Sequence, residues 1–96
     1  MNTEIKAVHF SLDNETREYL EKKIDRIHNA ENIIIDLLFT ITKSKDFSAE
    51  VTVNFRWGVS AHLKENDFEL NAALDKLLDK LDTKIAKEKD KVKEKR

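Results

Sequence analysis

Ninety-six residues with no cysteine, no proline and one glycine give material for one domain, and exclude disulfide frameworks, thiolate metal sites and Gly-rich phosphate loops. The net charge of −1 is not that of a uniformly basic nucleic-acid binder, but it hides an asymmetry: from Lys84 to Arg96 there are 7 basic and 3 acidic side chains. The N-terminus is polar and acidic, unlike a secretory signal. The longest apolar stretch, Ile33 to Phe39, is broken by Asp36 and too short to span a bilayer, so a cytoplasmic location is expected.

In chain order, residues 3–9 read as a short strand with Ile5 and Ala7 on one side and Val8 on the other. Asp13 or Asn14 then caps a helix whose apolar face carries Leu20, Ile24 and Ile27 beside Tyr19, ending near Asn29. The β-branched run 33–42 points Ile33, Ile35, Leu37, Phe39 and Ile41 one way, and Ile34, Asp36, Leu38, Thr40 and Thr42 the other. Lys43–Asp46 turns the chain. Over 48–57, Ala49, Val51, Val53, Phe55 and Trp57 alternate with polar residues, Gly58 permits a tight bend, and Val59, Ala61 and Leu63 alternate with Ser60, His62 and Lys64. These three runs form an antiparallel meander. Asn66 or Asp67 caps a last helix with an apolar stripe through Leu70, Leu74, Leu77, Leu78, Leu81 and Ile85, continuing to Val92. The expected fold is α+β, in the order β-α-β-β-β-α, with a four-stranded sheet covered by both helices on a single face.

No constellation supports catalysis or a cofactor. His9, His28 and His62 lack the spacing of a metal pair, and His62 falls on the polar side of its strand. Asp75, Asp79 and Asp82 alternate with Lys76 and Lys80 on a helix surface, a pattern that intrahelical charge pairing explains. Phe39 and Phe55 occupy inward positions and read as core. Trp57, at a strand end, is open both to packing and to stacking on a base.

The last helix carries a more specific pattern. At 100° per residue, Lys76, Lys80, Lys84, Lys87, Lys91 and Lys95 fall within about a 100° sector beside the apolar stripe. Such a row suits the phosphates of an RNA groove, and it equally suits a solvated helix flank whose lysines snorkel around the core. Arg17, Lys22, Lys23 and Arg26 add basic groups on the first helix, where some could border the same groove.

Three segments resemble one family. Thr16-Arg17-Glu18-Tyr19-Leu20-Glu21-Lys22-Lys23-Ile24 is similar to a Leu-Arg-Glu-Tyr-Val-x-x-Lys-Leu pattern, and Ala49-Glu50-Val51-Thr52-Val53 to an Ala-Glu-Val-Thr-Leu segment. Ala72-Ala73-Leu74-Asp75-Lys76-Leu77-Leu78-Asp79-Lys80-Leu81 resembles an Ala-Ala-Ile-Asp-x-x-x-Asp-Lys-Leu helix. In this order they resemble the short ribosome hibernation-promoting factors, which include a ribosome-associated inhibitor of translation. The resemblance runs from about residue 3 to 93 and implies one ribosome-binding domain over 1–96, with a basic helix end from about 84.

It also implies a non-enzymatic stress-response factor without cofactor, bound to 16S ribosomal RNA in the decoding region of the small subunit of 70S ribosomes, silencing translation. Whether such a factor pairs ribosomes into 100S dimers or holds inactive monomers stays open, and no homo-oligomer is expected. The chain stops before the dimerising domain of the long members. The family's basic surface carries over onto Arg17, Lys22 and Lys23, and onto Lys80, Lys87, Lys89 and Lys91; Lys76 and Lys84 extend it. The departures are Leu70-Asn71 in place of Met-Tyr, Thr83 and Ala86 in place of basic residues, Phe47-Ser48 in place of a basic or histidine pair, and Ala7 in place of glycine. These reduce positive charge on the RNA face. The alternative is a protein-interaction module using the free sheet edge or the basic helix.

Overall fold

The computed structural model describes residues 2–27 and 32–94, with side chains through Lys91; Asn29 and Lys95, expected to end the first helix and the lysine row, lie outside the described residues. The elements are β1 (Asn2–Val8), α1 (Asn14–Asp25), β2 (Ile34–Lys43), β3 (Phe47–Phe55), β4 (Ser60–Asp67) and α2 (Leu70–Glu94). The order is the expected β-α-β-β-β-α.

The sheet runs β1-β2-β3-β4. The last three strands form the antiparallel meander, while β1 lies parallel to β2, with Ile5 opposite Phe39. A parallel pair needs a crossover, and α1 supplies it. The sheet is therefore mixed.

Local chemistry explains the boundaries. Asp13 is the N-cap of α1 and accepts a 2.7 Å hydrogen bond from the Thr16 amide. Asp67 accepts from the Glu69 amide at 3.0 Å in the bend ahead of α2. The first intrahelical bond runs from the Ala73 amide to the Glu69 carbonyl, so Glu69 and neither expected residue, Asn66 or Asp67, stands at the N-cap position. Gly58 adopts φ +82°, and its amide donates to the Phe55 carbonyl at 3.1 Å, closing the bend between β3 and β4.

Both helices bury their stripes on one face. Leu20, Ile24 and Ile27 join Leu74, Leu77, Leu78, Leu81 and Ile85 over Leu37, Phe39, Ile41, Ala49, Val51, Val53 and Phe55. The outer face carries polar rows set by the register, among them Asn2, Asp36, Asn54 and Ser60, in which Asn54 donates to Asp36 at 3.0 Å and Ser60 donates to Asn54 at 2.7 Å.

A further expectation needs correction. Strict alternation placed Ile35 inward and Ile34 outward, yet Ile34 is fully buried and Ile35 is 44% exposed. The register shifts between Ile34 and Asp36 against Phe55 and Asn54, so Ile35 is a bulged residue that resets the pleat. Trp57 lies beyond the end of β3, 40% exposed, with one ring face stacked on Phe55 at 5.5 Å between centroids. It packs over the core edge and stays partly exposed, as its place at the strand end allows. Phe39 and Phe55 are core residues, as expected.

Candidate nucleic-acid interface

The expected basic residues fall into three separate places. Arg17 lines a shallow depression with Thr3, Ile5, Glu21 and Ile24, at the β1 side of the molecule, and Lys22 is exposed. Lys23 and Arg26 line a cleft between the helices, facing Asp75, Asp79 and Asp82. Lys80, Lys84 and Lys87 line a second cleft, with Leu63, Thr83 and Asp79, on the β4 side of α2. The two helices do not share one basic groove: Asp75 and Asp82 of α2 face α1, the lysine row faces β4, and Asp79 borders both clefts.

The inter-helix cleft has its own chemistry. Tyr19 donates its hydroxyl hydrogen to Asp75, which holds the phenol above its ordinary pKa, helped by partial burial. Lys23 lies 5.5 Å from the Tyr19 ring centroid. The aspartates read from sequence as a solvated flank thus include one that joins the two helices.

On the other side, the lysine row changes partners along its length. The inward face of β4 begins apolar, with Ala61 and Leu63, then turns acidic at Glu65 and Asp67 beneath α2. Lys80 reaches Glu65 at 2.9 Å and Lys76 reaches Asp67 at 2.8 Å. The Lys80 ammonium also approaches the Lys64 carbonyl at 3.4 Å. This two-rung ladder fixes the start of α2 to β4. The Glu69 amide and then Lys76 lower the pKa of Asp67; Lys80 lowers that of Glu65; Asp67 in turn raises that of Lys76. Strand alternation through Leu63, Glu65 and Asp67, set beside Lys76 and Lys80 one helical turn apart, was the sequence signal for this ladder.

Beyond it, Lys84 and Lys91 both bind Glu88, at 3.1 and 3.3 Å. Glu88 is 1% exposed, the one buried polar or charged residue among those described. Burial works against its charge, but the two lysines outweigh this and leave its pKa lowered. Lys87 is exposed and Lys89 half-buried, and among the described residues neither makes an ion pair. The clefts hold no cluster of metal-ligating side chains among the described residues, and no helix there is long and apolar enough to cross a membrane. His62 is exposed on the outer sheet face, with Nδ1 3.1 Å from Thr52 Oγ1 and Nε2 3.8 Å from Glu50.

A helix-covered mixed sheet of this order matches known proteins. Residues 3–93 match the family described as sigma 54 modulation protein / S30EA ribosomal protein. The chain belongs to this family. The sequence resemblance to the hibernation-promoting factors is therefore borne out at the level of family. Among solved structures, a ribosomal subunit interface protein from Coxiella burnetii superposes with a TM-score of 0.83 at 21% identity, covering 93% of this chain and 98% of that one. The N-terminal domain of Thermus thermophilus Protein Y gives 0.76 at 24% identity, covering 88% and 96%. At these identities the structural likeness carries the fold. A search of curated protein sequences gave no match. The family is one of ribosome-associated factors and not an enzyme class.

Proposed function

We propose that this protein binds the small ribosomal subunit in the cytoplasm, occupies the decoding region and silences translation in idle ribosomes as a stress response. The observation that carries this reading is the family match across residues 3–93. The lysine-lined cleft on the β4 side of α2 supports a contact with 16S ribosomal RNA, because mobile ammonium groups meet phosphates without demanding exact geometry. Arg17, Lys22 and Lys23, on separate surfaces, would make further phosphate contacts or serve solubility alone. No catalytic step is needed: a rigid domain in the path of messenger and transfer RNA inhibits by occupancy.

Sedimentation of the full chain with vacant 70S ribosomes and separated subunits, at low and moderate salt, tests this. Stoichiometric comigration with 70S and 30S particles is expected, and replacing Lys80, Lys87 and Lys91 together by Glu should weaken it by roughly two orders of magnitude or more. A new 100S peak would assign dimer promotion. Absence from every ribosomal fraction at low salt would overturn the reading. The alternative is a protein-interaction module using a free sheet edge or the basic helix. The Lys76 and Lys80 ladder sets charged side chains beside the β4 edge, which leaves the β1 edge and the helix for it.

A further inference from the structure

We propose, on the RNA-binding reading above, that Glu88 is a positioning residue: it holds Lys84 and Lys91 as a preformed pair of ammonium groups for one backbone phosphate of RNA. Both lysines contact the same carboxylate oxygen, Oε1, at 3.1 and 3.3 Å. One approaches from four residues before Glu88 and the other from three residues after it, so the two ammonium groups converge on one point of the helix surface.

Stability alone gives little reason for a carboxylate at this position. Glu88 is 1% exposed, and a buried ionic group is commonly replaced by an apolar side chain of similar volume without loss of stability. Its distinctive consequence lies in the two lysines. A free lysine samples many rotamers and loses that freedom when it binds phosphate. Here the loss is already incurred in the folded protein. Each ammonium has three donors, and one directed at Glu88 leaves two for an incoming anion. The carboxylate lies underneath, while Lys91 remains 61% exposed and Lys84 29% exposed. Lys84 also lines the cleft with Lys80, Lys87, Thr83 and Asp79, so the pair continues into a surface where three lysines outnumber one aspartate.

The test follows from opposed expectations for Glu88→Gln. If Glu88 only repels RNA, removing its negative charge tightens binding. If it positions the lysines, the variant binds more weakly despite its higher net charge. Affinity is measured for a poly-uridine oligonucleotide and for vacant 30S subunits over a range of salt concentrations. Glu88→Gln is expected to weaken both about five- to tenfold. It should also reduce the logarithmic salt slope by about 0.7–0.9, the signature of one lost phosphate contact. In a background of Lys84→Gln and Lys91→Gln, adding Glu88→Gln should have no further effect.

Circular dichroism checks the fold, and Glu88→Met replaces the variant if Gln is not tolerated. Unchanged or tighter binding by the folded variant overturns the proposal, as does failure of both variants to fold, which would make Glu88 a structural residue. If the wild-type chain binds the oligonucleotide but not the 30S subunit, and the variant binds the oligonucleotide more weakly, the positioning role stands while the ribosomal reading falls. Binding to neither probe by the wild type overturns both.

Discussion

The two halves of the lysine row on α2 have nearly the same spacing and different partners. Lys76 and Lys80 are tied to Asp67 and Glu65, residues of another element. Lys84 and Lys91 are tied to Glu88 within their own helix, with Lys87 exposed between them. The first half holds α2 to the edge strand through ion pairs; the second borders the Leu63 side of the same strand but takes its ion-pair partner from its own helix. A helical wheel treats the six lysines of the row as equivalent, and the fold separates the five that are described.

The largest expected effect removes the support common to both halves. Leu81 is fully buried in the stripe on which α2 rests, and Leu81→Ala should cost about 3–4 kcal/mol, measured by urea denaturation. A loss below about 1 kcal/mol would mean that the helix does not depend on this packing.

A sharper separation comes from the C-terminal half. Lys87→Glu with Lys89→Glu should weaken association with 30S subunits by roughly ten- to a hundredfold in a binding titration, while the thermal midpoint stays nearly unchanged. The opposite pattern would move these lysines into the structural half.

The converse variant is Lys76→Gln with Lys80→Gln. It should lower Tm by roughly one to three degrees, the scale of partly exposed ion pairs, and change 30S affinity less than the previous pair does. If this variant lost affinity as strongly as the 87/89 pair, the ladder would have to open on binding and present its lysines to RNA.

The smallest effect is a pH dependence. Folding lowers the carboxyl pKa values of Glu65 and Asp67, so their contribution is present above the unfolded values and is lost as pH falls through the folded ones. Tm followed from about pH 6 down to about pH 3 at low salt should therefore fall more steeply in the wild type than in Lys76→Gln with Lys80→Gln. Parallel curves would show that the ladder contributes nothing measurable. Glu88, whose pKa is also lowered, remains in both proteins, so it does not blur the comparison.

The sequence by itself determined the elements and the common face on which both helices pack. Periods of two and of three to four residues are local properties, and Val51, Val53, Phe55, Leu74 and Leu81 occupy their expected inward positions. The same local spacing makes the Lys84–Glu88–Lys91 cluster a helical neighbourhood, although its burial was not legible, because that depends on what packs against it. Only the tertiary structure decided the bulge at Ile35, where pairing with β3 overrides the alternation of β2. Tertiary structure likewise decided that Asp75 and Asp82 of α2 face α1 and that Lys76 and Lys80 face Asp67 and Glu65. A charge pattern states which residues share a helix face, while their partners depend on which neighbouring element the fold brings to that face.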